Sequence, residues 1–459
     1  MAVQWAGWSP GVLIRLDRAR PLRAQLESGL RDAIRTGRLS PGERLPSSRV
    51  LAAQLGVSRG LVQEAFAQLG AEGYLTTRGG SATRVADVPA APLPPAEPLS
   101  SRAAPSLLAD FRAGVPDLAS FPRSDWMWAQ REAAKTASTG DLGYGDPRGA
   151  AELRVVLAGY LRRVRGASAD PKDLVICSGF AQGLILALHA TGVHRVAFED
   201  PGYDADLLAA ADWLGLETVP VPVDDQGVDV EALRASRAGA VVLTPAHQWP
   251  TGVVLSPARR QAVATTGQFI VEDDYDAEFR YDRDPVGVLQ GLAGDRVLLS
   301  GTMSKSLAPG IRLGWVLCPP ALTEKVTALK SVLDRGSPHL DQLALAALLR
   351  SGRYDRHLRR MRTVYAARRA TLVNALAANA PTVRLSGLDA GFHAIAHLPD
   401  HLSEAEVIAG AHARGVALHG MSSHRSDGAA SPPQLVLGFG NVPEHIIRET
   451  IPLIADLLR

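Results

Sequence analysis

The sequence predicts two folded units, an N-terminal winged helix-turn-helix and a larger C-terminal α/β unit on a mostly parallel sheet. Three observations predict it. Apolar residues at helical spacing, serine caps and glycine stops fill the first 86 residues. Residues 88–106 then carry six prolines, an extended and semi-rigid composition without a core. Beyond them, short β-branched runs alternate with amphipathic stretches, the pattern of parallel strands covered by helices on both faces. The expected boundaries are 1–87 for the small unit, 88–107 for the linker and 108–459 for the body. A chain of 459 residues has room for two or three domains.

From residue 21 to 38, Leu22, Leu26, Leu30 and Ile34 recur every fourth position, one apolar stripe of a helix that Gly37, Pro41 and Gly42 end. Ser47 caps a short second helix through Gln54, with Leu51 and Leu55 inward, and Gly56 breaks it. Ser58 caps a third that runs to about Gly70 and turns Leu61, Val62, Ala65, Phe66 and Leu69 inward. Helix, glycine turn and capped helix have helix-turn-helix spacing. Residues 73–77 read as a strand, and Arg78-Gly79-Gly80 with residues 82–85, including Arg84, as a wing that reaches the DNA backbone or minor groove. Arg59 and Gln63 stand one turn apart at the front of the third helix, within reach of base edges, while Arg44 and Arg49 suit phosphates. A small protein-interaction domain with a solvated arginine face is the alternative. Residues 37–49, Gly-Arg-Leu-Ser-Pro-Gly-Glu-Arg-Leu-Pro-Ser-Ser-Arg, are similar to the opening signature of GntR-type domains. That resemblance implies that Arg44, Ser48, Arg49, Ser58, Arg59 and Gln63 lie at the DNA surface.

The formal net charge of +2 hides an asymmetry. Residues 1–86 hold twelve Arg, no Lys and six Asp or Glu, a net +6, which leaves −4 for the remainder. A basic front on a mildly acidic body points to a polyanion partner of the front alone, and the helix order, caps and wing point to double-stranded DNA as that partner. At ~3.1 Å per residue in polyproline geometry the linker reaches roughly 60 Å, enough to place the basic unit on a neighbouring subunit. No apolar run nears the ~20 residues of a bilayer span. Residues 1–10 do not read as a signal peptide, and Cys177 and Cys318 each end an apolar run as small buried hydrophobes; a cytoplasmic location is expected.

In the body each strand-like run delivers polar residues at its end. Leu174-Val175-Ile176-Cys177 leads into Ser178-Gly179-Phe180-Ala181, where a helix opens and its free amides form an anion site. Val196-Ala197-Phe198 leads to Tyr203, and Val241-Val242-Leu243 to the turn that holds His247. Phe269-Ile270-Val271-Glu272 delivers Asp273-Asp274-Tyr275-Asp276, an acidic strand end that would suit a metal only with histidines nearby; along the sequence none is near. Arg296-Val297-Leu298-Leu299 precedes residues 300–314, Ser-Gly-Thr-Met-Ser-Lys-Ser-Leu-Ala-Pro-Gly-Ile-Arg-Leu-Gly, and the chain has only five lysines. A lysine among small residues can be desolvated and form a Schiff base with an aldehyde, and Thr302, Ser304 and Arg312 beside Lys305 suit a phosphate. Taken alone, this stretch also fits a solvated basic loop at the mouth of a sheet. After Pro319-Pro320 come a long helical region and a smaller α/β portion, with strands expected at 383–385, 391–396, 416–418 and 435–437.

Lys305 with Arg312 seven residues on resembles the Schiff-base lysine and phosphate arginine of fold-type-I aminotransferases. The fuller string resembles the MocR-type regulators, which fuse a GntR-type winged helix to an aminotransferase-like domain, and the resemblance spans nearly the whole chain. It implies a fold-type-I body dependent on pyridoxal 5'-phosphate (PLP), with a large mostly parallel sheet domain and a small α/β domain. It further implies PLP on Lys305, with Gly179, Phe180, Ala181, Thr302, Ser304 and Arg312 around the phosphate. Tyr203 then stacks on the ring, Asp273 faces the pyridine nitrogen and Tyr275 the phenolic oxygen. His247 touches the cofactor or an incoming amine. Tyr144, from the stretch Gly143-Tyr144-Gly145-Asp146-Pro147, crosses a homodimer interface to the other subunit's phosphate.

Phe180 stands where many relatives have Thr or Ala, so no hydroxyl helps there, and two carboxylate-binding positions also depart from that pattern. Val436 stands where a small-domain arginine would clamp a substrate carboxylate, and Ala205 where a GABA-responsive branch carries a second arginine. Losing such a clamp removes ~1.5–3 kcal/mol, roughly tenfold to hundredfold in affinity. Arg425 is the available substitute, and its loop, 421–425, with His419 is expected to close over the site. The expected function is a dimeric DNA-binding regulator that responds to an amine, or to PLP itself, through two states of different affinity. The alternatives are a working aminotransferase with an accessory DNA-binding domain, and a winged-helix protein whose body only dimerises.

Overall fold

The leucine stripe of the first unit closes into three helices, α1 (Leu22–Arg35), α2 (Ser48–Leu55) and α3 (Arg59–Ala71). The computed structural model describes residues 14, 16–77, 82–88, 107–203, 205–276, 278–281, 286–430 and 432–459. The chain divides into two units after residue 104. Helix α1 stops three residues short of the expected Arg38, because the Thr36 hydroxyl donates to the Asp32 carbonyl (2.6 Å) and Gly37 turns left-handed at φ +71°. The Ser47 and Ser58 hydroxyls accept from the Val50 and Leu61 amides (3.3 and 3.2 Å), with Gly56 at φ +63° in the turn between the two helices. Leu26, Leu30, Ile34, Leu51, Val62 and Leu69 form the core with Leu75 and Val85 of the hairpin β1 (Leu75–Thr76) and β2 (Arg84–Val85). Residues 42–45 run along β2, the Gly42 amide donating to Val85 and the Leu45 amide to Thr83. Arg78 and most of the proline-rich stretch lie outside the described residues.

The body opens with β3 (Ala109–Asp110), α4 (Arg123–Thr136) and α5 (Ala151–Arg165). Its sheet then gathers β4 (Leu174–Cys177), β5 (Arg195–Asp200), β6 (Glu217–Asp224), β7 (Gly227–Val228), β8 (Ala240–Leu243), β9 (Phe269–Asp274), β10 (Val297–Thr302) and β11 (Gly314–Leu317) in the order β4-β11-β10-β9-β8-β5-β6-β7. Six strands share one direction; β11 is inserted antiparallel between β4 and β10, and β7 runs antiparallel at the far edge. Strand β10 is buried throughout, which its unbroken apolar and small-residue run demands. The chain passes from β4 across to β5, moves outward, then returns through β8, β9 and β10. The carboxyl ends of strands distant in sequence therefore meet at one crevice, the place where such sheets bind ligands.

Helices α6 (Phe180–Thr191), α7 (Ala205–Trp213), α8 (Val230–Ala235) and α9 (Pro257–Ala264) connect the strands. The expected long helical region is three helices, α10 (Pro320–Asp334), α11 (His339–Arg350) and α12 (Arg353–Asn379). The smaller portion has strands β12 (Arg384–Ser386), β13 (His393–His397), β14 (Val416–Ala417) and β15 (Gln434–Gly438), with helices α13 (Glu404–Ala413) and α14 (Glu444–Ile454). Strands β12, β13 and β15 form an antiparallel sheet, while β14 pairs parallel with β3. All four strands fall within two residues of expectation. Among the described residues no helix is long and apolar enough to cross a membrane.

Candidate cofactor pocket and DNA-facing residues

At the crevice lies a cavity of about 320 Å³. Phe180, Ala181, Thr302, Ser304 and Arg312 line one end of it. Gly179 opens α6 at φ +95°, and a side chain there would come within 3.2 Å of the Arg312 guanidinium. Arg312 takes a left-handed conformation (φ +54°) and donates to the Ser178 carbonyl. The Thr302 hydroxyl donates to the Ser304 hydroxyl (2.9 Å) and accepts from the Ser304 amide (3.1 Å). The start of α6 has no side-chain cap. Helix amides, two hydroxyls and one guanidinium together form an anion cradle.

Lys305, Tyr203, Asp273 and Tyr275 also line the cavity. Asp273 is buried; its Oδ2 accepts the Tyr203 hydroxyl (2.7 Å), while its Oδ1 is buried without a hydrogen-bond partner among the described residues. Burial pushes its carboxyl up to about 8. The Lys305 amine is held below the usual lysine value by burial, an effect that Asp273 and Asp276 oppose. Its Nζ donates to the Gly114 carbonyl (2.8 Å). Phe180 and Tyr203 pack with ring centroids 5.6 Å apart. Leu207, Trp249 and Pro309 complete the lining; none carries a polar signature in the sequence, and Trp249 reaches the cavity only because its turn folds over the end of β8.

His247 does not line the cavity. It stands behind Tyr275, its Nδ1 2.8 Å from Asp276 Oδ2 and 3.2 Å from the Tyr275 hydroxyl. The expectation that no histidine lies near the acidic strand end fails in space: His247, Asp276 and His393 gather with ligand atoms within 4.8 Å of one another. His247 comes from the turn after the neighbouring strand β8, and sequence distance concealed it. Asp276 is engaged by His247, and His393 Nε2 donates to the Pro250 carbonyl (3.0 Å).

Tyr144 also lies outside the cavity: it is 78% exposed, its ring 5.1 Å from the Arg335 guanidinium. Val436 is buried beside Ile395 and Met421. Arg425 does not replace the missing clamp, because it donates to the Ala429 and Pro432 carbonyls (2.6 and 3.0 Å) and to Gln434 Oε1 (2.6 Å). His419 turns away to Asp110 (2.8 Å). The loop 421–426 is latched to the end of β5: the Gly202 amide donates to His424 O (2.8 Å), and the Ser426 amide to Asp200 (3.0 Å). His424 packs edge-on to Trp249 at 5.5 Å.

In the first unit, Arg44, Arg49, Ser58, Arg59, Gln63 and Arg84 are exposed and Ser48 is half-buried. Arg44 and Arg84 face each other across a β-bridge, and Arg84 donates to the Gly42 carbonyl (2.7 Å). Arg59 and Gln63 lie on the exposed face of α3, opposite buried Val62, Ala65 and Leu69.

Residues 110–417 match the family Aminotransferase class I and II, and residues 22–85 match Bacterial regulatory proteins, gntR family. The chain is 34% identical over 442 residues to the HTH-type pyridoxine biosynthesis transcriptional regulator PdxR of Corynebacterium glutamicum, covering 94% of this chain and 95% of that one. It is 31% identical over 462 residues to the probable rhizopine catabolism regulatory protein MocR of Rhizobium meliloti, covering 94% and 92%. Pyrococcus horikoshii kynurenine aminotransferase, solved in complex with PMP, matches with a TM-score of 0.70 at 26% identity, over 77% of this chain and 91% of that one. The body thus has the fold-type-I aminotransferase fold, and the full-length relatives are helix-turn-helix transcriptional regulators. Two domain matches on one chain, with relatives aligned across both, place this protein in the MocR-type subfamily of the GntR regulators.

Proposed function

We propose that this protein is a transcriptional regulator that binds double-stranded DNA through its winged helix and holds PLP on Lys305 as its sensing element. The observation that carries this reading is the unpartnered Asp273 Oδ1, buried in the same cavity as Lys305 and the anion cradle. With its carboxyl pushed to about 8, Asp273 keeps a proton at neutral pH. Tyr203 occupies Oδ2, so the proton belongs on Oδ1, where a pyridine nitrogen would share it. When bound, PLP supplies an aldehyde and an electron-withdrawing ring. Burial shifts Lys305 toward the neutral, nucleophilic amine that would hold that aldehyde. The cradle of Gly179, Phe180, Ala181, Thr302, Ser304 and Arg312 takes the phosphate. The similarity to a pyridoxine biosynthesis regulator supports PLP itself as an effector.

Exposed Leu142, Tyr144, Val332, Leu333 and Leu340 support a homodimer in which Tyr144 reaches the other subunit's cradle. On DNA, Arg59 and Gln63 read base edges, Arg44, Arg49 and Arg84 hold phosphates, and Ser48 and Ser58 line the contact. The domains are 1–87, 88–107 and 108–459, the middle stretch acting as tether.

The test is spectroscopic. PLP-supplemented protein shows the visible band of an imine, Lys305→Ala abolishes it, and operator binding survives in the variant. Colourless wild type after incubation with PLP would reduce the body to an inert scaffold. The intact Lys305, Asp273 and Tyr275 centre also favours a working aminotransferase, which steady release of keto acid from an amino donor would establish.

A further inference from the structure

Among the described residues that line the cavity, none beyond Lys305 and the anion cradle supplies a cation. Among the described lining residues only Lys305 and Arg312 are basic. Arg312 is tied to the Ser178 carbonyl and packed against Gly179 at the cradle end, and Arg425 is consumed within its own loop. Apart from Tyr203 and Tyr275, what remains of the described lining is apolar: Trp249, Leu207 and Pro309. The indole of Trp249 is fixed by edge contacts with Tyr275 at 6.1 Å, His393 at 5.2 Å and His424 at 5.5 Å. It adjoins the reacting amine, since a methyl group placed on Gly114 would lie 3.3 Å from Lys305 Nζ and 3.6 Å from the Trp249 ring. A carboxylate brought in beside the amine of an α-amino acid would find no free cation among the described lining residues of this subunit. An apolar substituent would instead gain contact with the indole.

We infer that the body takes, as a second ligand, a primary amine that bears an apolar or aromatic group and no carboxylate, with its carbon skeleton laid against Trp249. This rests on the reading that PLP occupies Lys305. The exchange balances without any oxidant. The ligand nitrogen adds to the carbon doubly bonded to Lys305 Nζ and forms the new carbon–nitrogen double bond. The bond to Nζ breaks, and the two protons of the incoming nitrogen pass to Nζ. Lys305 leaves as a free amine, able to donate again to the Gly114 carbonyl.

2-Phenylethylamine and L-phenylalanine share the amine and the ring and differ by the carboxylate, so they isolate the point. PLP-loaded full-length protein is titrated with each while its visible spectrum is followed. Phenylethylamine is expected to shift the band at a concentration at least tenfold below that needed for phenylalanine, and in Trp249→Ala that gap narrows. Phenylalanine acting at an equal or lower concentration overturns the inference, as does a spectrum indifferent to both. An unchanged gap in Trp249→Ala overturns the role given to Trp249. A protein that stays colourless with PLP sinks the underlying reading as well, which separates the two failures.

Discussion

Asp273 concentrates the chemistry of the cavity because one oxygen is occupied and the other is not. If it partners the pyridine nitrogen as proposed, replacing it with Ala removes a charge-assisted hydrogen bond worth ~1.5–3 kcal/mol, and PLP affinity should fall roughly tenfold to hundredfold in a spectroscopic titration. The same burial has a pH signature. Asp273 and Glu199 have folded-state values raised to about 8 and about 7 by desolvation. Each therefore binds its proton more tightly folded than unfolded. The stabilisation is complete below the ordinary carboxylate range and is lost as pH rises through those values. PLP-free protein should melt at progressively lower temperature between about pH 5 and 8.5. Asp273→Asn, which cannot ionise, should flatten that slope; an equal slope would show that Asp273 is not the group responsible. Lys305, Asp273, Tyr275 and Arg312 stand out in the sequence as polar clusters at the ends of apolar runs, and the resemblance to fold-type-I aminotransferases supplied their roles. Gly114 and Trp249 were not legible as site residues, since a backbone carbonyl and an indole leave no chemical mark in a sequence.

At the scale of elements, the helix-turn-helix is built by local rules and should break by them. Ser58→Ala removes the oxygen that accepts the Leu61 amide and should cost about 1 kcal/mol, seen as faster amide exchange in the first turn of α3. On that helix, Arg59→Ala should lose about 1–3 kcal/mol of operator affinity and relax specificity at one base pair. Arg49→Ala should instead weaken all sequences alike and lower the salt slope by about 1. Equal effects of the two substitutions on operator and random DNA would overturn the division of roles. Caps and stripes in this unit could be read directly, to within three residues at the end of α1. The strands of the smaller portion were equally readable, because period and punctuation are local properties.

At the scale of the molecule, Tyr144 provides the sharpest test, because it lies exposed on its own subunit and outside its own cavity. If it serves the opposite subunit, Tyr144→Ala and Lys305→Ala homodimers should both bind PLP poorly. Mixed dimers should recover tight binding at one site, where the lysine comes from one chain and the tyrosine from the other. Titration of the mixed sample checks this, and recovery of nothing would return Tyr144 to a packing role. Operator binding by the same mixtures would then report whether filling one site is enough to alter the DNA-binding units.

The order of modules, the basic character of the first and the polar residues at each strand end are local in origin, and the sequence alone determined them. Which of those residues meet was decided only by the tertiary structure. The order β4-β11-β10-β9-β8-β5-β6-β7 draws together strand ends from residues 177 to 302. It sets His247 one layer behind Tyr275, brings Trp249 to the lysine and leaves Arg425 bound within its loop. Those outcomes depend on contacts between residues tens to hundreds of positions apart, whose geometry no local periodicity encodes.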